Sequence, residues 1–265
     1  MQRTLRASSV LVLIVGVQLF VLSAHTNVAF AFPIEPPITA AFLGANYWGS
    51  VVLEYLASRE ETWANARAAV PGVLVFTALT LVQTVGNLAF FRLESPFAWT
   101  WIAVYAIAPC VFGWLWWKQR QVEGGEPARG RPLPVWIRAT LMIHTVVLLT
   151  IGAALFFGSE TVTDWWPWQL DLHGKYKSGF GPYVGCWLVG VGAIAGQAAW
   201  ENDLRRLRGA LPSLALLGAL QLVTLARYRH AFGWASVSGR VFVTLVVPAV
   251  VAGVAGTVAS RAADV

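Results

Sequence analysis

The chain has 265 residues, of which 57% are hydrophobic and 12% charged, and its formal net charge is +6. Soluble domains carry about 25% charged residues, so this composition excludes an ordinary soluble protein. It predicts a multi-pass protein of the inner or plasma membrane, with the lipid bilayer as its first partner. Because the basic residues flank apolar segments, we expect no nucleic-acid partner.

Eight apolar stretches follow one another along the chain, and their lengths suit helices that cross a bilayer about 30 Å thick. We therefore predict an all-α transmembrane helix bundle of eight spans, with seven as the alternative. The connections are short, so residues 1–265 are interpreted as one transmembrane domain without a separate soluble domain. The predicted spans cover residues 10–32, 39–58, 70–91, 97–117, 135–157, 181–200, 209–226 and 241–260.

The basic residues and the tryptophans predict the orientation of the bundle. With the N-terminus inside, thirteen of the 19 Lys and Arg residues fall in cytosolic segments and six in outer segments. The positive-inside rule then places both termini in the cytosol. Of fourteen tryptophans, only Trp48 and Trp187 fall well inside a predicted span. The others form a tryptophan-rich interface, including Trp165, Trp166 and Trp168, which we expect at headgroup level in the amphipathic segment 158–180.

The second predicted span carries a polar stripe. Asn46, Ser50 and Glu54 recur at every fourth residue, which places them on one face of a helix. Lipid cannot satisfy such a face, and a carboxylate inside a bilayer is a functional-site hypothesis by default. We predict that these side chains, together with Trp48 of the same span, line a cavity for a small or lipophilic ligand.

Four further polar residues are candidates for the same ligand site. Gln83 and Asn87 lie in the third predicted span, and His144 lies near mid-depth in the fifth. Arg138, near the start of the fifth span, lies at the predicted depth of Glu54. Glu54 therefore has three open interpretations: an ion pair with Arg138 that fixes helix packing, a cavity-lining proton or cation site, or a side chain that reaches toward water.

No metal and no cofactor is predicted. A metal or haem site needs several ligands, and the three other histidines fall toward the predicted outer surface, so His144 has no partner at its depth. It remains open whether His144 is a packed core histidine, a proton relay or a haem ligand. Cys110 and Cys186 are predicted at different depths, beyond the reach of a disulfide.

A second acidic group lies at the inner end of the sixth span, in the sequence WENDLRRLR. Glu201 and Asp203 belong either to a solvated helix end with alternating charge or to an acid pair with Glu54. Two carboxyl groups in a low-dielectric pocket can share one proton, which suits general acid catalysis. The candidate catalytic residues are therefore Glu54, Glu201 and Asp203.

Three blocks of the sequence resemble a family of uncharacterised, actinobacterial-type multi-spanning membrane proteins. They are FLGANYWGSVVLEYLASRE, WPWQLDL with the glycine-rich helix after it, and AAWENDLRRLR leading to LGALQLVTLARY. The resemblance implies a topology and no activity. A looser similarity is to the small membrane terpene cyclases, which have about seven helices and use two acidic residues on different helices to protonate a polyprenyl epoxide or alkene. It implies Glu54 with Glu201 or Asp203 as the acids.

Three classes of function stay open, and the sequence does not decide whether the protein is an enzyme. The first is a carrier or binding protein, which we rank first because a polar stripe requires less coincidence than a placed acid pair. The second is an intramembrane enzyme that acts by acid catalysis on an isoprenoid-like substrate. The third is an accessory subunit of a larger membrane complex.

Overall fold

The computed structural model describes residues 1–122, 127–170 and 179–262. Within these ranges the chain forms helices joined by turns and short loops, and no strand. The eight long helices are α1 (Gln2–Gly16, continued by a π-helical segment Val17–Val21), α2 (Pro37–Ala57), α3 (Val70–Gly86), α4 (Pro96–Gln119), α5 (Val135–Phe156), α6 (Gly181–Glu201), α7 (Ala210–Arg227) and α8 (Val237–Ala262).

Seven stretches of the described chain are helical, long enough and apolar enough to cross a membrane, which indicates a membrane-embedded protein. They are Gln2–Val21, Trp63–Gly86, Pro96–Gln119, Val135–Phe156, Gly181–Glu201, Ala210–Arg227 and Val237–Ala262. Helix α2 is not among them, because its polar residues offset its apolar ones. It is nevertheless the most buried of the long helices, since fifteen of its 21 residues are buried, compared with thirteen of 21 in α6.

Consecutive long helices run in opposite directions through the bundle. Gln2 at the start of α1 donates from Nε2 to the carbonyl of Glu60, just beyond the end of α2, and Gly16 at the end of α1 lies against Trp48 in the middle of α2. Two clusters of buried apolar side chains mark the two ends. The first contains Leu5, Ala57, Val70, Leu115, Ile137, Ala198 and Leu211, and the second contains Leu19, Ile38, Ala98, Leu155, Val184 and Leu225.

The beginning of the chain differs from the prediction. Helix α1 begins at Gln2 instead of Val10, because Arg3 and Arg6 are exposed and can continue the helix beyond its apolar part. The helical run ends at Val21, and residues 23–34 fold back in short turns that bury Phe30, Phe32 and Ile34 in the second cluster.

The tryptophans after α5 also differ from the prediction. Trp165 is 38% exposed, but Trp166 and Trp168 are 7% and 4% exposed, so these two rings pack inside the end of the bundle instead of lying at its surface. Trp168 donates from Nε1 to the Thr39 hydroxyl over 2.9 Å, which ties this segment to the start of α2. Residues 171–178 of the expected interfacial element lie outside the described ranges.

Candidate functional site

A cavity with a volume of about 490 Å³ borders Glu54. Pockets for small molecules usually measure about 300 to 1,000 Å³, so this cavity can hold one. Helices α1, α2, α3, α4 and α6 contribute to its wall. The lining residues are Thr4, Ala7, Ser8, Leu11, Val12, Ser50, Glu54, Gly72, Val73, Phe76, Thr77, Thr100, Ala103, Val104, Tyr105, Ile107, Ala108, Val111, Phe112, Trp187, Gly190 and Ile194.

The carboxyl group of Glu54 is buried in this wall without a charged partner. The residue is 1% exposed, and the Ser8 side chain of α1 lies within hydrogen-bonding range of it. Its Oε2 atom has no hydrogen-bond partner among the described residues. The described residues that line the cavity include no Lys, Arg or His. An acceptor left in this state costs about 1 to 3 kcal/mol, and more if it is charged.

Of the three interpretations of Glu54, the ion pair with Arg138 is not formed. Arg138 donates from Nε to the carbonyl of Ala199 over 3.1 Å, near the end of α6. The physical reason lies in the packing, because α5 lies along α6 while Glu54 projects from α2 toward α1. Equal depth in the membrane did not imply that the two side chains share a helix interface.

Aromatic rings form the wall of the cavity in the middle of the bundle. The ring centroids of Phe76 and Trp187 are 3.9 Å apart, and those of Phe76 and Tyr105 are 5.9 Å apart. The Tyr105 hydroxyl is hydrogen-bonded to that of Tyr47, so both polar ends are satisfied within the protein. Glu54 and these three rings line the same cavity.

The cavity opens sideways between α1 and α4. Leu11 of α1 is 44% exposed and Ile107 of α4 is 59% exposed, yet both line the cavity. The same holds for three further residues, which are exposed and also line the cavity: Ala7, Thr100 and Ala103. On α4 the lining extends from residue 100 to residue 112, which corresponds to about 18 Å at 1.5 Å per residue. The site is thus an elongated slot whose mouth lies on the apolar outer surface of the bundle.

The polar stripe of α2 does not face one common hollow. Ser50 and Glu54 border the large cavity, whereas Asn46 lines a separate pocket of about 80 Å³ and donates from Nδ2 to the carbonyl of Phe42 over 2.8 Å. Each step of four residues rotates the side chain by about 40° at 3.6 residues per turn, so Asn46 and Glu54 differ by about 80°. Different neighbouring helices therefore cover the two ends of the stripe.

His144 borders the smaller pocket and links two helices. Its Nδ1 lies 2.7 Å from the carbonyl oxygen of Thr140 and its Nε2 lies 2.9 Å from that of Leu245 in α8. The ring is packed and hydrogen-bonded, with 7% of the residue exposed. Within the described ranges no group of three or more His, Cys, Asp or Glu residues is placed to hold a metal ion.

Glu201 and Asp203 do not join Glu54, since neither lines its cavity. Glu201 is completely buried and accepts hydrogen bonds from Arg67 (Nη2, 2.8 Å), from Arg206 (Nη1, 2.9 Å) and from Gln197 (Nε2, 2.7 Å). Asp203 accepts from the backbone N–H groups of Arg205 (2.9 Å) and Gly130 (2.5 Å). Neither alternative holds: Glu201 and Asp203 form no acid pair with Glu54, and this helix end is a buried ion-pair cluster instead of a solvated one.

The remaining candidates lie away from the three pockets that border Asn46, Ser50 or Glu54. Trp48 packs on α1, where its ring lies 5.0 Å from that of Phe20 and its Nε1 donates to the carbonyl of Leu13 over 3.4 Å. Asn87 donates from Nδ2 to the carbonyl of Gln83 over 2.8 Å and to its side-chain Oε1 over 3.2 Å. The two side chains are thus hydrogen-bonded to each other near the end of α3.

Sequence reasoning missed the contribution of α1 and the aromatic wall. Thr4 and Ser8 recur at a helical spacing, and a helix predicted from residue 2 would have included them. No local pattern marks Phe76 or Tyr105 as cavity residues, because their position depends on which helices meet.

Comparison of the chain with family models, with curated proteins and with solved structures finds no match.

Proposed function

We propose that the protein binds a small or lipophilic ligand in the cavity beside Glu54, as an intramembrane carrier or binding protein. One observation carries this proposal: a buried carboxylate oxygen without a partner borders an apolar cavity of about 490 Å³. A lone carboxyl group in the apolar interior of a membrane protein is costly to maintain, and such groups commonly mark substrate or ion sites.

We further propose eight spans, with α2 crossing the plasma membrane like the other seven long helices. Its antiparallel course along α1 supports this, as does the burial of its polar residues away from the outer surface of the bundle. Lipid then meets the apolar faces of the surrounding helices. In this arrangement both termini lie at the end of the bundle that carries most of the basic residues, which is the cytosolic side by the positive-inside rule.

The topology has a direct test. Reporters that are active on only one side of the membrane are fused to the N-terminus and, separately, to the C-terminus. An eight-span protein gives a cytosolic signal from both fusions. A seven-span arrangement would place the two reporters on opposite sides, and that result would remove α2 from the set of spanning helices.

The binding proposal predicts that a bulky residue at the mouth of the slot displaces the ligand. Ala103 lines the mouth, whereas Ala106 on the same helix is also exposed but does not line the cavity. Native mass spectrometry of protein released from lipid nanodiscs is expected to detect a bound small molecule in the wild type and in Ala106→Trp, and to lose it in Ala103→Trp. Equal retention in both variants would contradict the proposal.

The second candidate function is acid catalysis on an isoprenoid-like substrate. The aromatic wall favours it, because the faces of Phe76, Tyr105 and Trp187 can stabilise a developing carbocation. Since Glu201 is bound by two arginines, Glu54 would act as the acid, and it is the one carboxyl group among the described residues that line the cavity. Membranes containing the protein would then convert farnesylated or geranylated compounds into cyclic products, and Glu54→Gln would abolish this turnover.

A further inference from the structure

We infer that the ligand of the Glu54 cavity is a lipophilic ammonium, that is, an organic cation with an apolar tail. The inference rests on the proposed binding function and adds the chemical class of the ligand. Three features of the cavity support it: a single carboxyl group without a charged partner, aromatic rings in the same wall, and a mouth at the exposed surface between α1 and α4.

The charge of the cavity is the first argument. An ionised carboxylate in an apolar environment requires a compensating charge. The described lining residues supply no cationic side chain, and Arg138 is directed to the carbonyl of Ala199. The Ser8 hydroxyl, which lies within hydrogen-bonding range of Glu54, carries no charge. A positively charged ligand supplies the missing partner and gains a Coulombic attraction to the Glu54 carboxylate, which is strong in an apolar environment.

The aromatic wall is the second argument, because it distinguishes an ammonium from other partners of a carboxylate. The π faces of aromatic rings carry partial negative charge and attract organic cations within about 6 Å of the ring centroid. Phe76, Tyr105 and Trp187 lie together in the wall of the cavity that Glu54 also lines. Rings combined with a carboxylate favour an alkylated ammonium over a hydrated inorganic ion.

The shape of the cavity is the third argument. Thr4, Ser8 and Glu54 lie toward one end of the slot, where α1 begins and α2 ends, while Thr100 lies about 18 Å away along α4 from Phe112. The lining between these ends is almost entirely apolar, and the mouth lies between α1 and α4. An amphiphile that enters from the bilayer can place its head group beside Glu54 and its tail along the slot.

Three ligands with the same twelve-carbon chain test the inference: dodecyltrimethylammonium, dodecanol and dodecyl sulfate. Radiolabelled forms are equilibrated with protein in nanodiscs, and uptake by empty nanodiscs is subtracted. We expect saturable binding of the ammonium at least tenfold tighter than that of dodecanol, with the sulfate weakest. Glu54→Gln is expected to weaken ammonium binding at least tenfold and to leave dodecanol binding unchanged. Glu61→Gln removes an exposed acid and should behave like the wild type.

A labelling experiment on the wild type makes the test independent of whether the variant folds. Dicyclohexylcarbodiimide modifies carboxyl groups in apolar environments, and peptide mass spectrometry measures its reaction with Glu54. Dodecyltrimethylammonium is expected to slow this labelling at least threefold, and dodecanol to slow it less. The ammonium inference would be overturned if dodecyltrimethylammonium and dodecanol bound with equal affinity. It would also be overturned if neither ligand slowed the labelling of Glu54. Saturable binding of dodecanol alone would leave the cavity proposal standing, whereas the absence of saturable binding for all three ligands would overturn both.

Discussion

Glu201→Gln is expected to destabilise the end of the bundle by about 3 to 5 kcal/mol, the usual cost of removing one partner of a buried ion pair. For a protein of this size, that loss corresponds to a fall of roughly 10 °C in unfolding temperature. Intrinsic tryptophan fluorescence of the purified protein in mild detergent, recorded during heating, measures the change.

The geometry of the cluster explains the size of this effect. The Glu201 carboxylate is completely buried and binds two guanidinium groups, from Arg67 before α3 and from Arg206 after α6. Arg206 also donates from Nη2 to the carbonyl of Pro127 over 2.6 Å, which attaches the segment before α5. A glutamine keeps the shape but removes the charge, so two buried guanidinium groups lose their shared carboxylate. The substitution would therefore weaken the contacts of α6 with the segment before α3, with the segment after α6 and, through Arg206, with the segment before α5.

The control for this experiment is Glu94→Gln, because Glu94 is exposed. Surface substitutions of this kind change stability by about 0.5 kcal/mol or less. An unfolding temperature of Glu201→Gln equal to that of Glu94→Gln would contradict a stabilising role of the cluster. Since Glu201 does not line the Glu54 cavity, the fraction of Glu201→Gln that remains folded should bind dodecyltrimethylammonium as the wild type does.

The cluster also marks the limit of what the sequence could predict. The position of Glu201 at a helix end was predictable from hydropathy, but its burial was not, since Arg67 is 134 residues away in the chain. Alternating charges in WENDLRRLR are typical of a solvated helix end. Only the meeting of α6 with the segment before α3 excludes water from this group.

The candidate site was likewise predictable only in part, since local residues could be identified from the sequence but their tertiary neighbours could not. A carboxylate within an apolar helix was enough to identify Glu54, because lipid cannot solvate it. The grouping of Asn46 with Glu54 assumed one shared neighbour, although the two side chains point about 80° apart around α2. The slot itself results from the separation of α1 from α4, which depends on tertiary packing and leaves no periodic signal in either helix.

Gly185→Val is expected to disrupt the contact between α5 and α6, and Gly185→Ala to weaken it. A Cβ atom at Gly185 would lie 2.6 Å from the carbonyl oxygen of Gly152 and 2.6 Å from the backbone nitrogen of Phe156. Both are backbone atoms of α5, so no side chain can move aside and the helices must separate. Overpacking typically costs about 1 to 3 kcal/mol, and valine adds two methyl groups at the same place.

The direction in which an alanine substitution changes the unfolding temperature distinguishes the steric clash from the effect of helix propensity. Alanine is more favourable than glycine in a helix by about 1 kcal/mol. At Gly113 of α4 a Cβ would meet only Leu74, at 3.8 Å, so Gly113→Ala is expected to leave the unfolding temperature unchanged or raise it. Gly185→Ala is expected to lower it despite the better propensity, and Gly185→Val to lower both this temperature and the yield of monodisperse protein. If both alanine variants were stabilised alike, close packing of α5 on α6 would not hold the wall of the cavity that contains Trp187 and Gly190.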